Sequence, residues 1–315
     1  MTGGRPLHVL LASPRGFCAG VARAVEALDQ ALSHYGPPVY VRHEIVHNPE
    51  VVERFRGRGA IFIDDLDDVP AGARLFLSAH GVAPEVKFEA ARRGLRVVDT
   101  TCPLVSKVHA EARRLSTSGR TTIVIGHRGH VEVEGTVGWL NGAPHHVVET
   151  AEEAQTLPLD RARPHAYLTQ TTLSLDETAE VVGALRSRLP DLQGPPSADI
   201  CFATTNRQHA VKAISGRSDV VLVLGGRNSS NSLRLVETAL RAGAPRAWLL
   251  ERPEDLDAHS LEDCRSVGLT GGASTPETSL QAVLDRLKAS FEVSVEEIGA
   301  PETVRFRAAS MASLD

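Results

Sequence analysis

Val9-Leu10-Leu11-Ala12-Ser13-Pro14-Arg15-Gly16-Phe17-Cys18-Ala19-Gly20-Val21 carries the first strand, turn and helix of the chain. The apolar run Val9 to Ala12 predicts a strand buried on both faces, and the pattern from Val21 to Leu28 predicts an amphipathic helix. Pro14 and Gly16 punctuate the turn between them. Cys18 therefore stands where a strand hands over to a helix, near unsatisfied backbone N–H groups that favour a thiolate. Cys102, in Asp99-Thr100-Thr101-Cys102-Pro103, and Cys201, in Asp199-Ile200-Cys201-Phe202, occupy similar positions at or shortly before helical patterns.

The same alternation continues through the chain. Short aliphatic runs recur at 39–41, 60–63, 74–77, 95–98, 121–125, 145–148, 166–168, 220–224, 247–250 and 266–269, with helical patterns between them. Such runs are the signature of parallel sheets covered by helices, so the fold class is α/β. Low aromatic content, 4%, fits an aliphatic α/β core rather than a β-sandwich.

Three strands lead into polar, Gly-rich turns: Leu10 to Cys18, Ile125-Gly126-His127-Arg128-Gly129-His130, and Leu224-Gly225-Gly226-Arg227-Asn228-Ser229-Ser230-Asn231. Three others lead into a second kind of turn, at Ser78-Ala79-His80-Gly81, Thr169-Gln170-Thr171-Thr172 and Thr270-Gly271-Gly272-Ala273-Ser274. Both series, and the cysteines, recur at intervals of roughly a hundred residues, the size of a domain. The 315 residues thus divide into three similar lobes with small, mostly parallel sheets: 1–100, 101–197 and 198–285, with 286–315 returning to the first. Pro195-Pro196-Ser197 is the best linker. Ligands of parallel sheets bind beyond the carboxyl ends of the strands, where these turns lie, so three facing lobes would share a central cavity.

A formal charge of −5 argues against a broad electropositive surface, and with it against nucleic acid or anionic membrane as a general partner. No apolar run reaches membrane-spanning length or resembles a signal segment, so a cytoplasmic protein is expected with no membrane partner. Four cysteines in a reducing compartment point to metal or redox chemistry rather than disulfides. Cys264 precedes a strand, away from the turns, and reads as structural. Cys18, Cys102 and Cys201 could converge on one metal cluster. On a four-iron cluster three thiolates leave one iron open, and an open iron can act as a Lewis acid toward a substrate oxygen.

His43-Glu44-Ile45-Val46-His47 matches the H-E-x-x-H pattern of zinc proteases, which requires both histidines on one helix face. Asn48-Pro49 is a helix start, so the helix begins after His47 and the protease reading fails. His127 to Glu132 offers imidazoles for an anion and a carboxylate for proton transfer. Asn228-Ser229-Ser230-Asn231-Ser232 precedes a helical pattern starting near Leu233 and reads either as a phosphate cradle without Lys or as a plain N-cap cluster. Neither nucleotide-binding glycine fingerprint is present, which leaves a small phosphorylated substrate.

These segments, with Thr101-Cys102-Pro103-Leu104-Val105, Gly129-His130-Val131-Glu132-Val133-Glu134-Gly135-Thr136, Thr169 to Ser174 and Ala203-Thr204-Thr205-Asn206-Arg207-Gln208, closely resemble the 4-hydroxy-3-methylbut-2-enyl diphosphate reductase family. The resemblance runs in order from the first strand to about Ser274. It implies a 4Fe-4S cluster held by Cys18, Cys102 and Cys201, fed by an electron donor such as ferredoxin or flavodoxin. It implies reductive loss of the substrate hydroxyl to give isopentenyl and dimethylallyl diphosphates, the last step of the methylerythritol phosphate pathway. By the same resemblance His47, His80, His130, Ser229, Ser230, Asn231 and Ser274 hold the diphosphate, Thr171 lies beside the substrate hydroxyl and Glu132 supplies the proton. The chain departs from the family at Val131, where Pro is usual and a fixed φ is lost. It also departs at Gly272, within a turn that is more often Ala-Gly-Ala-Ser, a change expected to be harmless. An iron–sulfur redox sensor or inactive homologue is the alternative, but a sensor needs no cradle and acid together.

Overall fold

A computed structural model describes residues 5–314. In chain order the elements begin with β1 (Arg5–Ser13), α1 (Ala19–Tyr35), β2 (Val39–Arg42), α2 (Pro49–Gly57), β3 (Ala60–Ile63), β4 (Arg74–Leu77), α3 (Pro84–Arg92) and β5 (Arg96–Asp99). They continue with α4 (Pro103–Ser116), β6 (Thr121–Ile125), α5 (Val131–Gly138), β7 (His145–Val148), α6 (Ala151–Thr156), β8 (His165–Thr169) and α7 (Leu175–Arg188). The last are α8 (Phe202–Ser215), β9 (Val220–Leu224), α9 (Ser230–Arg241), β10 (Ala247–Leu250), β11 (Ser266–Gly271), α10 (Glu277–Ser290) and β12 (Phe291–Gly299).

The strands form three parallel sheets, ordered β10-β9-β11-β1-β12, β3-β2-β4-β5 and β7-β6-β8, so the expected three-lobed α/β architecture holds. The chain divides into two compact units. One comprises the chain up to Ala22, His47–Arg54 and Phe202–Arg305, and contains the five-stranded sheet. The other comprises Arg23–Val46, Phe55–Cys201 and the chain from Phe306, and contains the other two sheets.

The expected boundaries 1–100, 101–197 and 198–285 have to be redrawn. Strand β1 hydrogen-bonds to β11 on one side and β12 on the other, so it belongs with 220–299 and not with 39–99. Spacing along the chain could not reveal this, because a first strand can join any sheet whose edge its hydrophobic pattern fits. Both faces of β1 are buried: Leu7, Val9 and Leu11 pack with Val267, Leu269, Leu284 and Leu287, while Leu10 and Ala12 pack with Val211, Ile214 and Leu235. The alternation is the period of two expected of a central strand with helices on both sides. In the second unit Ile123 and Ile125 face one core and Val124 the other by the same rule.

Among the described residues no helix is long and apolar enough to cross a membrane.

Candidate functional site

Each of Cys18, Cys102 and Cys201 is the residue immediately before a helix, α1, α4 and α8 respectively. The carbonyls of Cys18 and Cys102 accept the first helical bonds, from Ala22 and Ser106. All three are half-buried, and no cysteine of the chain forms a disulfide. A helix start presents partial positive charge and unsatisfied backbone N–H groups beside each of these sulfur-bearing residues. Cys264 differs. It is fully buried in the core under α10, its Sγ contacts Arg246, and burial raises its pKa. Among the described residues no group of three His, Cys, Asp or Glu side chains could hold a single metal ion.

In the first unit the turn bearing Cys18 is fixed from several directions. The N–H groups of Gly16 and Cys18 donate to the carbonyls of Gly271 and Ala273. Gly16 has φ +66°, where a side chain would be strained. Arg207, a fully buried side chain of α8, donates twice to the carbonyl of Gly16, at 3.1 and 2.8 Å, and once each to Ala203 O and Glu302 Oε2. Sequence reasoning gave Arg207 no role, although it lies within the quoted Ala203–Gln208 motif. A buried cation inside a helix leaves no periodicity signal.

The same unit holds His47, Ser229, Ser230, Asn231 and Ser274. Helix α2 starts at Pro49 with Asn48 Oδ1 accepting from the N–H of Val51, so His47 precedes the helix as expected and H-E-x-x-H has no helical face. Helix α9 starts at Ser230, three residues earlier than the expected start near Leu233. Ser229 is its N-cap and accepts from the N–H of Ser232 at 3.3 Å. The extra turn follows from the capping hydroxyl, which counts for more than the poor helix propensity of Ser and Asn. Asn231 Oδ1 accepts from the N–H of Ala273 at 2.9 Å, while its buried Nδ2 has no hydrogen-bond partner. Ser274 Oγ donates to the carbonyl of His47 at 2.8 Å. An orphaned donor beside a helix N-terminus and several hydroxyls has the chemistry to accept an anion. Against Ala-Gly-Ala-Ser, residues 271–274 read Gly-Gly-Ala-Ser, so the departure expected at Gly272 falls at Gly271, and Gly272 itself has a steric reason, since a Cβ there would collide with Ser232 Oγ.

The second unit brings together His80, His130, Glu132 and Thr171. Glu132, only 2% exposed, accepts the backbone N–H of Thr171 on Oε1 at 2.6 Å and the Thr171 hydroxyl on Oε2 at 3.1 Å. Burial pushes its pKa up to about 7, against the opposing effect of the two Thr171 bonds, and Asp199 adds to the rise. His130 caps α5, its Nδ1 accepting from the N–H of Glu132 at 3.1 Å, and its ring lies edge-on to His80 with centroids 6.0 Å apart. Val131 is the first residue of α5, where Pro is favoured. The lost φ constraint is offset by the bonds from Thr171, which hold the Glu132 side chain from across the site.

Two backbone bonds tie cysteines to this group. Cys102 N–H donates to Ala79 O, next to His80, at 2.9 Å, and Cys201 N–H donates to Thr171 O at 3.0 Å. Gly81 has φ +74°, and a Cβ there would lie 2.5 Å from His109 Cε1. His109, buried and stacked on Trp139, has its pKa lowered to about 4, by burial first and by Lys87 second. It too went unremarked in the sequence, because a histidine on an apolar helix face looks like core.

Residues 9–288 match the LytB protein family. The chain is 52% identical over 300 residues to a 4-hydroxy-3-methylbut-2-enyl diphosphate reductase of Aromatoleum aromaticum, covering 95% of this chain and 96% of the relative. It is 53% identical over 304 residues to the protein of the same name in Phenylobacterium zucineum, covering 96% of each. The fold is similar to that of the E-1-hydroxy-2-methyl-but-2-enyl-4-diphosphate reductase of Plasmodium falciparum, with a TM-score of 0.91, 37% identity and 96% of both chains covered. A second solved structure, titled as the terminal enzyme of the non-mevalonate pathway, aligns with a TM-score of 0.64 at 30% identity, covering 90% of this chain and 99% of that one.

Proposed function

Since the chain belongs to the LytB protein family, we infer that it is a 4-hydroxy-3-methylbut-2-enyl diphosphate reductase. The reaction removes the hydroxyl of the allylic diphosphate: the C–O bond breaks, two electrons and two protons enter, and water leaves with isopentenyl or dimethylallyl diphosphate. Relatives at this identity are named for the enzyme, which leaves the sensor alternative without support.

The observation that carries the mechanism is the buried Glu132 carboxyl under Thr171. A pKa near 7 suits a general acid that must hold and release a proton at neutral pH. The Thr171 N–H is a fixed donor to Oε1, so the proton of the neutral acid resides on Oε2, where the Thr171 hydroxyl can rotate from donor to acceptor. Thr171 thereby keeps the acidic proton at a defined atom and offers its own oxygen to the substrate hydroxyl.

For the diphosphate we assign His47, Ser229, Ser230, Asn231 and Ser274, with the start of α9, and His80 and His130. The unpaired Nδ2 of Asn231 supports this assignment. Neutral donors together with imidazoles can neutralise a diphosphate without a Lys clamp.

Cys18, Cys102 and Cys201 would hold a 4Fe-4S cluster, and three thiolates placed at helix starts fit that role. Each would bind a different iron, so a set of ligands around one ion is not required. When bound, the cluster supplies the electrons and one iron without a protein ligand. The reductant is a small electron-transfer protein such as ferredoxin or flavodoxin, and the location is cytoplasmic, where thiols persist.

Anaerobic turnover with reduced methyl viologen tests the reading. Iron-loaded protein should consume the allylic diphosphate and release both products. Binding without consumption would overturn it.

A further inference from the structure

Cys18 and Cys102 follow strands β1 and β5 through short turns, whereas Cys201 follows helix α7 after an irregular stretch, residues 189–201. A strand delivers the residue beyond it to a fixed place, because a ladder of backbone bonds holds the strand. Cys201 has to be delivered by other means.

The irregular stretch begins as a strand would. Gln193 pairs with β8, an outer strand of its sheet: the Gln193 carbonyl accepts from the N–H of Tyr167 at 2.9 Å, and its N–H donates to the carbonyl of His165 at 3.1 Å. The ladder then fails at Pro195, which stands where the next N–H is needed and has none. The next outward N–H of β8, that of Thr169, is met by a side chain instead, Asp199 Oδ2 at 3.2 Å. Backbone pairing resumes at Cys201, whose N–H donates to Thr171 O at 3.0 Å. The Asp199 carboxylate thus takes the place of a strand carbonyl.

A second element holds the same stretch. Lys107, in the second turn of α4, donates from Nζ to the carbonyls of Ser197 and Ala198 at 3.0 and 2.6 Å, and lies 3.2 Å from Asp199 Oδ1. The Asp199 side chain is fully buried and its Oδ1 has no hydrogen bond, so the ammonium is what compensates its charge. Helix α4 is the one that Cys102 heads. Only a carboxylate fits this position: both its oxygens accept, whereas an amide could serve Thr169 or Lys107 but not both.

We propose that Lys107 and Asp199 are positioning residues for the metal site, splinting the segment that ends in Cys201 to β8 and to the helix headed by Cys102 before any metal arrives. The proposal rests on the assignment of these cysteines as ligands.

The test uses the full-length chain with nitrogen-labelled cysteine, which has four backbone signals, one per cysteine. In iron-free protein, Lys107→Met and Asp199→Asn should each speed amide hydrogen exchange at Cys201 by at least about fivefold, the equivalent of one lost hydrogen bond to a charged group. Cys18, Cys102 and Cys264, whose N–H groups donate to Ala273, Ala79 and Leu261, should exchange at the wild-type rate. A side chain that merely stabilises the fold would speed all four. In iron-loaded protein both variants should lose iron to a chelator faster than the wild type does. Unchanged exchange at Cys201, equal acceleration at all four cysteines, or iron held as firmly as in the wild type would each overturn the proposal. Wild-type protein that takes up no iron would instead overturn the assignment of the ligands.

Discussion

Thr171 grips both oxygens of Glu132, one through its backbone N–H at 2.6 Å and the other through its hydroxyl at 3.1 Å. The carboxyl is thereby buried with its geometry fixed and its proton still exchangeable, a combination neither residue provides alone.

Glu132→Gln is the first consequence. The amide oxygen can still accept from the Thr171 N–H, so the fold and the anion seats should survive. Turnover should fall by about 10²–10⁴-fold, the typical share of one positioned acid. Steady-state kinetics on iron-loaded protein checks this, and near-normal kcat would remove Glu132 from proton transfer.

Thr171→Val tests the tuning. Both Thr171 bonds lower the Glu132 pKa, so deleting the hydroxyl should raise it further above about 7. An acid must be protonated to act, so kcat/KM falls as pH rises through its pKa. The descending limb should therefore move to higher pH in the variant. A limb that moves down or stays put contradicts the assignment.

Stability carries the same signature. Glu132 has a folded pKa above its ordinary 4.5, so its contribution is full below pH 4.5 and is lost as pH rises through about 7. His109 is the reverse: with a pKa of about 4 against an ordinary 6.5, its contribution is full above pH 6.5 and is lost as pH falls through 4. Glu132→Gln, which cannot ionise, should gain on the wild type by about 3 kcal/mol between pH 4 and 8. Urea unfolding at the two pH values measures the difference.

Gly272→Ala should displace Ser232 and loosen the cap of α9, because the new Cβ would lie 2.1 Å from Ser232 Oγ. Overpacking of this kind costs about 1–3 kcal/mol. A lower melting temperature and a raised KM for the diphosphate are expected together. A variant unchanged in both would show that the turn relaxes freely.

Arg207→Lys keeps the charge but cannot make the paired contacts to the carbonyl of Gly16. Iron retained after anaerobic reconstitution and desalting should drop, whereas Cys264→Ala, remote from the helix starts, should retain it. Full iron retention by Arg207→Lys would remove that side chain from the support of Cys18.

Much of this molecule was legible before any coordinates. Aliphatic runs such as Val220 to Leu224 are buried on both faces, and that alone announces a parallel sheet. The turns after those runs, with the first turns of the helices they lead into, contain every residue assigned to substrate or metal except Cys201, which follows α7. The partner of β1 was not legible, because strand pairing is a long-range choice among similar apolar edges. Nor was Arg207, whose role depends on one carbonyl far away in sequence. The start of α9 was misplaced because a single capping hydroxyl decides it.

The bond from Cys201 N–H to Thr171 O makes the third sulfur and the proton-holding loop one mechanical linkage. Any shift in the seat of that sulfur pulls on the residue that grips the acid. Were Cys201 to hold metal as proposed, a change in its backbone on metal loss would pass directly to Thr171, whose N–H and hydroxyl hold Glu132.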